Sequence, residues 1–147
     1  VYMILLGIDF GDARTGVAKL DTRYPIATPL ETVRKSDPNA AAEEIRSIAA
    51  REKAERLVVG LPRNMNGSEG FRAEKTREFG RLLEERTGLP VVYFDERLTS
   101  GYAQAVLNMT DTRGNKRKET VDAVAATVIL QGYIDAQKGR SEAEIDL

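Results

Sequence analysis

Apolar and polar positions along the chain fall into two kinds of block. Met3–Phe10 and Thr15–Leu20 are short and rich in aliphatics. The charged turn Gly11–Arg14 separates them, which predicts two strands joined as a hairpin. Tyr24–Val33 is also extended but holds Pro25 and Pro29. Proline lacks the N–H that a strand ladder needs, so this segment is an edge strand or a loop. Asp37-Pro38-Asn39 starts a helix, and Ala41, Ile45, Ile48 and Ala49 recur at helical spacing up to about Ala54. Leu57-Val58-Val59-Gly60 is wholly apolar, the pattern of a strand covered on both faces. Pro62–Gly70 reads as a loop with Asn66-Gly67 at its turn. Phe71–Arg86 carries Phe79, Leu82 and Leu83 on one helical face and stops at Gly88 and Pro90. Val91–Phe94 is another buried strand. Thr99–Met109 predicts a short helix, Thr110–Glu119 a polar segment, and Thr120–Gln137 a last helix. The buried side of that helix reads as Val121, Val124, Ala125, Val128 and Gly132. Phe71, Phe79 and Phe94 read as core. Residues 1–137 form one domain in this reading, and 138–147 a loose polar tail.

The order βββαβαβαα implies an α/β protein with a mixed five-stranded sheet and helices on both faces. Ligands in such sheets gather beyond the carboxyl ends of the parallel strands. Asp9 lies near one such end, and Asp95 and Glu96 at another. Asp122 borders the apolar face of the last helix, in line with Ala126 and Ile129, which turns it toward the sheet. Each acid also has an ordinary explanation. Asp9 could meet Arg14, Glu96 could pair with Arg97, and Asp122 could favour a helix N-terminus.

Composition narrows the chemistry sharply. The 147 residues include no cysteine and no histidine. That removes disulfides, thiolate zinc sites, Ser-His-Asp triads and imidazole bases. What remains is carboxylates, Lys/Arg, hydroxyls, or a metal bound through oxygen. A cluster of Asp9, Glu96 and Asp122 would repel itself unless cations neutralised it. An all-oxygen donor set suits Mg²⁺ or Mn²⁺. Two such ions can hold the attacking water and the leaving oxygen of a phosphodiester. The net charge of −1 announces no overall field for nucleic acid, so the substrate would be met by a local patch. Arg113, Lys116, Arg117 and Lys118, just before Asp122, are the candidates. Arg14, Arg63, Asn64, Arg97 and Thr99 are further possible contacts. No apolar run approaches the roughly 18 residues needed to span a bilayer, and Val1–Leu6 is too short for a signal peptide. The expected location is the cytoplasm.

Four blocks, in order, carry a resemblance to the YqgF/RuvX family. They are GIDFGDARTGVA at 7–18, VVGLPRNMNGSEG at 58–70, FDERLTS at 94–100, and K-x-x-x-DAVAATVIL at 118–130. The resemblance implies a ribonuclease H-like fold. It also implies a metal-dependent nuclease acting on the precursor of 16S ribosomal RNA, with Holliday junction resolution on branched DNA as an alternative. Carried over by position, it puts the metal ligands at Asp9, Glu96 and Asp122, with Asp95 as the rival to Glu96. The strand that ends Gly60-Leu61-Pro62 offers no acid of its own. A junction resolvase would be a homodimer, whereas an RNA-trimming enzyme could act as a monomer. Two readings of other classes stay open here: a non-catalytic RNA- or ribosome-binding module, and an actin/Hsp70-like ATPase with Gly11–Gly16 as its phosphate loop.

Overall fold

The computed structural model describes residues 2–96 and 114–144, with side chains over 2–96 and 122–138. Strands β1 (Ile4–Phe10) and β2 (Thr15–Asp21) form the expected antiparallel hairpin, closed by the pair Phe10↔Thr15. Strand β3 (Tyr24–Val33) pairs with β2 at the sheet edge, the position its prolines allow. Strands β4 (Arg56–Leu61) and β5 (Val91–Asp95) add in parallel on the other side of β1. The sheet order is β3-β2-β1-β4-β5.

Side-chain alternation along β1 splits the interior into two cores. Leu6 and Ile8 face helices α1 (Pro38–Glu52) and α2 (Phe71–Thr87), where Ile45, Ile48, Phe79 and Leu83 meet them. Leu5 faces helix α3 (Gly114–Glu144), packing with Ala126, Ile129, Leu130 and Tyr133. Asp9 shares the period of Leu5 and so falls on the α3 side. The two flanking helices of the first core have clear ends. The Asp37 side chain accepts the Ala40 N–H at 3.1 Å and Pro38 fills the first turn of α1. Gly88 closes α2 in the left-handed conformation, φ 71°.

Three expectations change. The last helix begins at Gly114 rather than Thr120, and continues to Glu144 through part of the segment read as a tail. Lys116, Arg117 and Lys118 therefore ride on its opening turns, not on a loop. Its buried stripe is Ala123, Val124, Ala126, Val128, Ile129, Leu130, Tyr133 and Ile134, with Ala125 and Gly132 only half-buried. Phe79 and Phe94 are core, but Phe71 is 73% exposed. The short helix read at Thr99–Met109 lies outside the described residues.

Candidate active site

Asp9 stands at the carboxyl end of β1, directly across the hairpin from Gly16. Gly16 in turn lies beneath the backbone of Asp122. A β-carbon there would overlap the Asp122 carbonyl oxygen. The absent side chain therefore lets α3 seat its acid beside the hairpin. Gly60 does the same on the other flank, where a β-carbon would meet Ile129 and the Glu96 side chain. Glu96 lies just past the end of β5, and because a Gly60 β-carbon would meet both it and Ile129 of α3, its side chain is on the α3 side with Asp9. Two close approaches at glycines thus bring Asp9, Glu96 and Asp122 to one edge.

The electrostatics follow from that closeness. Burial pushes the Asp9 carboxyl up from 3.8 to about 7, and the neighbouring charges of Glu96 and Asp122 push the same way. The Asp9 and Glu96 carboxyls interact directly, and that contact raises Asp9 while lowering Glu96. Glu96 is also raised, chiefly by burial, while Arg72 and the contact with Asp9 hold it down and Asp95 adds to the rise. Both carboxyls are thus pushed toward their neutral forms, because two adjacent buried carboxylates cannot both ionise cheaply. The Arg14 Nε donates to Asp122 Oδ2 at 2.7 Å. Arg14 thus pairs with Asp122, not with Asp9 as its nearness in sequence suggested.

Asp122 also sits more than two turns inside α3, and a helix terminus acts only over its own turn. The capping explanation for this acid is therefore removed. Glu96, rather than Asp95, is the carboxylate that bonds to Asp9.

Arg72, on the first turn of α2, was not singled out by the sequence, yet its charge lowers both Asp9 and Glu96. Its helix turn is pinned by Thr76 Oγ1 donating to the Arg72 carbonyl at 2.9 Å. The signal that could have pointed to it was position: α2 begins on the loop that leaves the carboxyl end of β4.

The polar loop before it is largely turned on itself. Asn64 Nδ2 donates to Ser68 Oγ at 3.0 Å, and Arg63 lies 3.5 Å from Glu69. Arg97, Thr99 and Arg113 fall outside the described residues. Lys118 precedes Asp122 by one turn of α3.

The donor set fits a hard divalent cation. It is all carboxylate, and in the structure its charge is met by Arg14 on Asp122 and by the nearby charge of Arg72, places a cation could take. As the side chains stand, no three acids among the described residues form a ready ligand cluster.

Comparison with known proteins gives consistent relatives. The model of the RuvX family, described as Holliday junction resolvase, matches residues 3–136. A protein of Agathobacter rectalis, named as a candidate pre-16S rRNA nuclease, is 46% identical over 136 residues, covering 90% of this chain and 95% of its own. One from Heliobacterium modesticaldum with the same name is 45% identical over 92% of this chain and 91% of its own. Among solved structures, Thermus thermophilus RuvC superposes with a TM-score of 0.54 at 16% identity, over 93% of this chain and 97% of that one. RuvC bound to a Holliday junction gives 0.55 at 17% identity, over 93% and 96%. These two share the fold.

Proposed function

The chain belongs to the RuvX family, and we propose that it is a metal-dependent nuclease that hydrolyses phosphodiester bonds in the precursor of 16S ribosomal RNA. The observation that carries this reading is Asp9 between Glu96 and Asp122 at the carboxyl edge of the sheet, in a chain without histidine or cysteine. Asp9, Glu96 and Asp122 would hold Mg²⁺ or Mn²⁺, two ions in the full site. Once bound, the ions would supply the nucleophilic water and neutralise the charge that builds on the phosphate.

The chain's own residues do the rest. Asp9 and Glu96 would serve as oxygen donors in their deprotonated forms, which a bound cation would favour against the burial that raises both. Asp122, now paired with Arg14, would hold the cation in its place, and the Arg14 guanidinium would then be available to the phosphate as a counter-charge. Arg72 lowers the cost of ionising Asp9 and Glu96 and would draw the backbone in. Lys116, Arg117 and Lys118, with Arg113, Arg97 and Thr99, would grip flanking phosphates, as contacts that position without reading sequence. Arg63 and Asn64, on the loop that follows β4, would add further polar contacts. With this substrate the protein would act in the cytoplasm, as a monomer or homodimer.

The family description and the RuvC-like fold favour one second reading, cleavage of four-way DNA junctions. A side-by-side assay separates the two: a precursor 16S rRNA fragment and a synthetic junction, each with Mn²⁺, wild type against Asp9→Asn. Metal-dependent cutting of the RNA by wild type only supports the proposal. Cutting of the junction alone moves the reading to the resolvase. Equal behaviour of the two proteins ends both.

A further inference from the structure

Phe71 opens α2 with its ring on the surface, at the end of the sheet where the carboxylates meet. Single exposed apolar residues are ordinary. Phe71 is not single. Lys75 Nζ stands 5.4 Å from its ring centroid, and also 3.2 Å from Asp12 Oδ1 on the β1–β2 turn. Together with Phe10, Arg72 and Thr76 these residues line an open cavity of about 90 Å³. The cavity starts at Phe10, one residue beyond Asp9 along β1, on the α1–α2 face of the sheet, whereas Asp9 falls on the α3 face at the same carboxyl end.

We propose that this cavity is a subsite for one unpaired nucleotide beside the scissile phosphate, with the base stacked on Phe71 and the phosphate held by Arg72 and Lys75. The inference rests on the nuclease reading and adds a substrate class to it: a single-stranded or splayed segment rather than a continuous duplex. The volume is that of about three waters, enough for a phosphate but not for a base as well. The base therefore lies against the ring at the mouth. Only an unpaired nucleotide offers its whole face to an aromatic side chain. The two cations supply the complementary charge. The Lys75–Asp12 pair is largely exposed, 43% and 72%, so it is a weak pair that a phosphate can displace. The charge of Arg72 reaches Asp9 and Glu96, so a phosphate on it would lie at the same end of the sheet as the acids.

The chain contains no tryptophan, which makes the test direct. Phe71→Trp creates a single-tryptophan reporter on an exposed position, and Tyr24→Trp, on the edge strand, serves as its control. Binding of a fluorescein-labelled single-stranded RNA and of a matched blunt duplex is measured by anisotropy in Ca²⁺ buffer. Wild type should prefer the single strand. Phe71→Ala should weaken single-strand binding by roughly 5- to 100-fold, the loss expected for one stacked base, and Phe71→Tyr should restore it. Unlabelled single strand should quench Phe71→Trp emission and leave Tyr24→Trp unchanged. If wild type binds but Phe71→Ala binds equally well and Phe71→Trp is not quenched, the subsite is overturned and the nuclease reading stands. If wild type binds no nucleic acid, both fall together.

Discussion

Gly16 and Asp122 meet backbone against backbone, with no room for a side chain between β2 and α3. Because Gly16 is also the cross-strand partner of Asp9, this one approach sets the distance between two of the three acids. Gly16→Ala should push the helix off the hairpin. Overpacking of this kind costs about 1–3 kcal/mol. Thermal unfolding should show a Tm lower by several degrees, and cleavage should fall by more than the lost stability explains. Unchanged cleavage would mean that the spacing of Asp9 and Asp122 does not matter.

Arg14 and Asp122 are both partly exposed, 34% and 22%, so their ion pair contributes at most about 1 kcal/mol to stability. Arg14→Gln should leave Tm nearly unchanged. It should tighten Mn²⁺ binding in calorimetry by a few fold, since the cation no longer competes with the guanidinium for Asp122. Weaker Mn²⁺ binding in this variant would contradict the exchange of partners.

Asp9 carries a folded value of about 7 against an ordinary 3.8, so the fold favours its protonated form. The sign is then fixed. Its stabilising contribution is complete below about pH 4 and is lost as pH rises through about 7. Metal-free wild type should lose several degrees of Tm between about pH 5 and pH 8. Asp9→Asn, which cannot ionise, should be the more stable protein at the upper end and no better at the lower. Added Mn²⁺ should restore wild type and do little for the variant. A flat difference across the range would remove the buried-charge account of Asp9.

Lys116, Arg117 and Lys118 ride on the opening turns of α3, ahead of Asp122. Replacing all three with Gln should weaken binding to RNA of any sequence by a similar factor. The salt dependence should flatten by about 0.7 in slope for each phosphate that is no longer neutralised. An unchanged slope would show that these residues are ordinary surface charges.

Much of this arrangement was legible in the chain. The short aliphatic blocks of β1 and β2 around a charged turn and the apolar run of β4 predicted the sheet, because strands covered on both faces read as near-continuous apolar runs. Asp9 and Asp122 stood out because each is an acid beside an apolar stripe. Arg72 did not stand out. It lies among Glu74, Lys75 and Arg77, so its pattern is that of any solvated helix face, and its nearness to Asp9 is a tertiary fact. Phe71 misled for the converse reason. Aromatic residues default to the core, but this one falls at the first position of α2, off the stripe of Ala73, Thr76, Phe79 and Leu83. The start of α3 was hidden because Asn115–Glu119 carries no apolar period, although Lys, Arg and Glu are good helix formers.

The central claim is that Asp9 and Glu96 act together as oxygen ligands for a divalent cation, and Asp95 does not share that role. Mn²⁺-dependent cleavage of a precursor 16S rRNA fragment, measured for wild type, Asp9→Asn, Glu96→Gln and Asp95→Asn, tests it most directly. Loss of residues that merely support metal ligands costs roughly 10- to 100-fold, so loss of a ligand itself should cost on the order of a hundredfold or more. The account predicts that Asp9→Asn and Glu96→Gln fall by at least that much while Asp95→Asn stays within about tenfold of wild type. Cleavage that survives in Glu96→Gln and disappears in Asp95→Asn would contradict it.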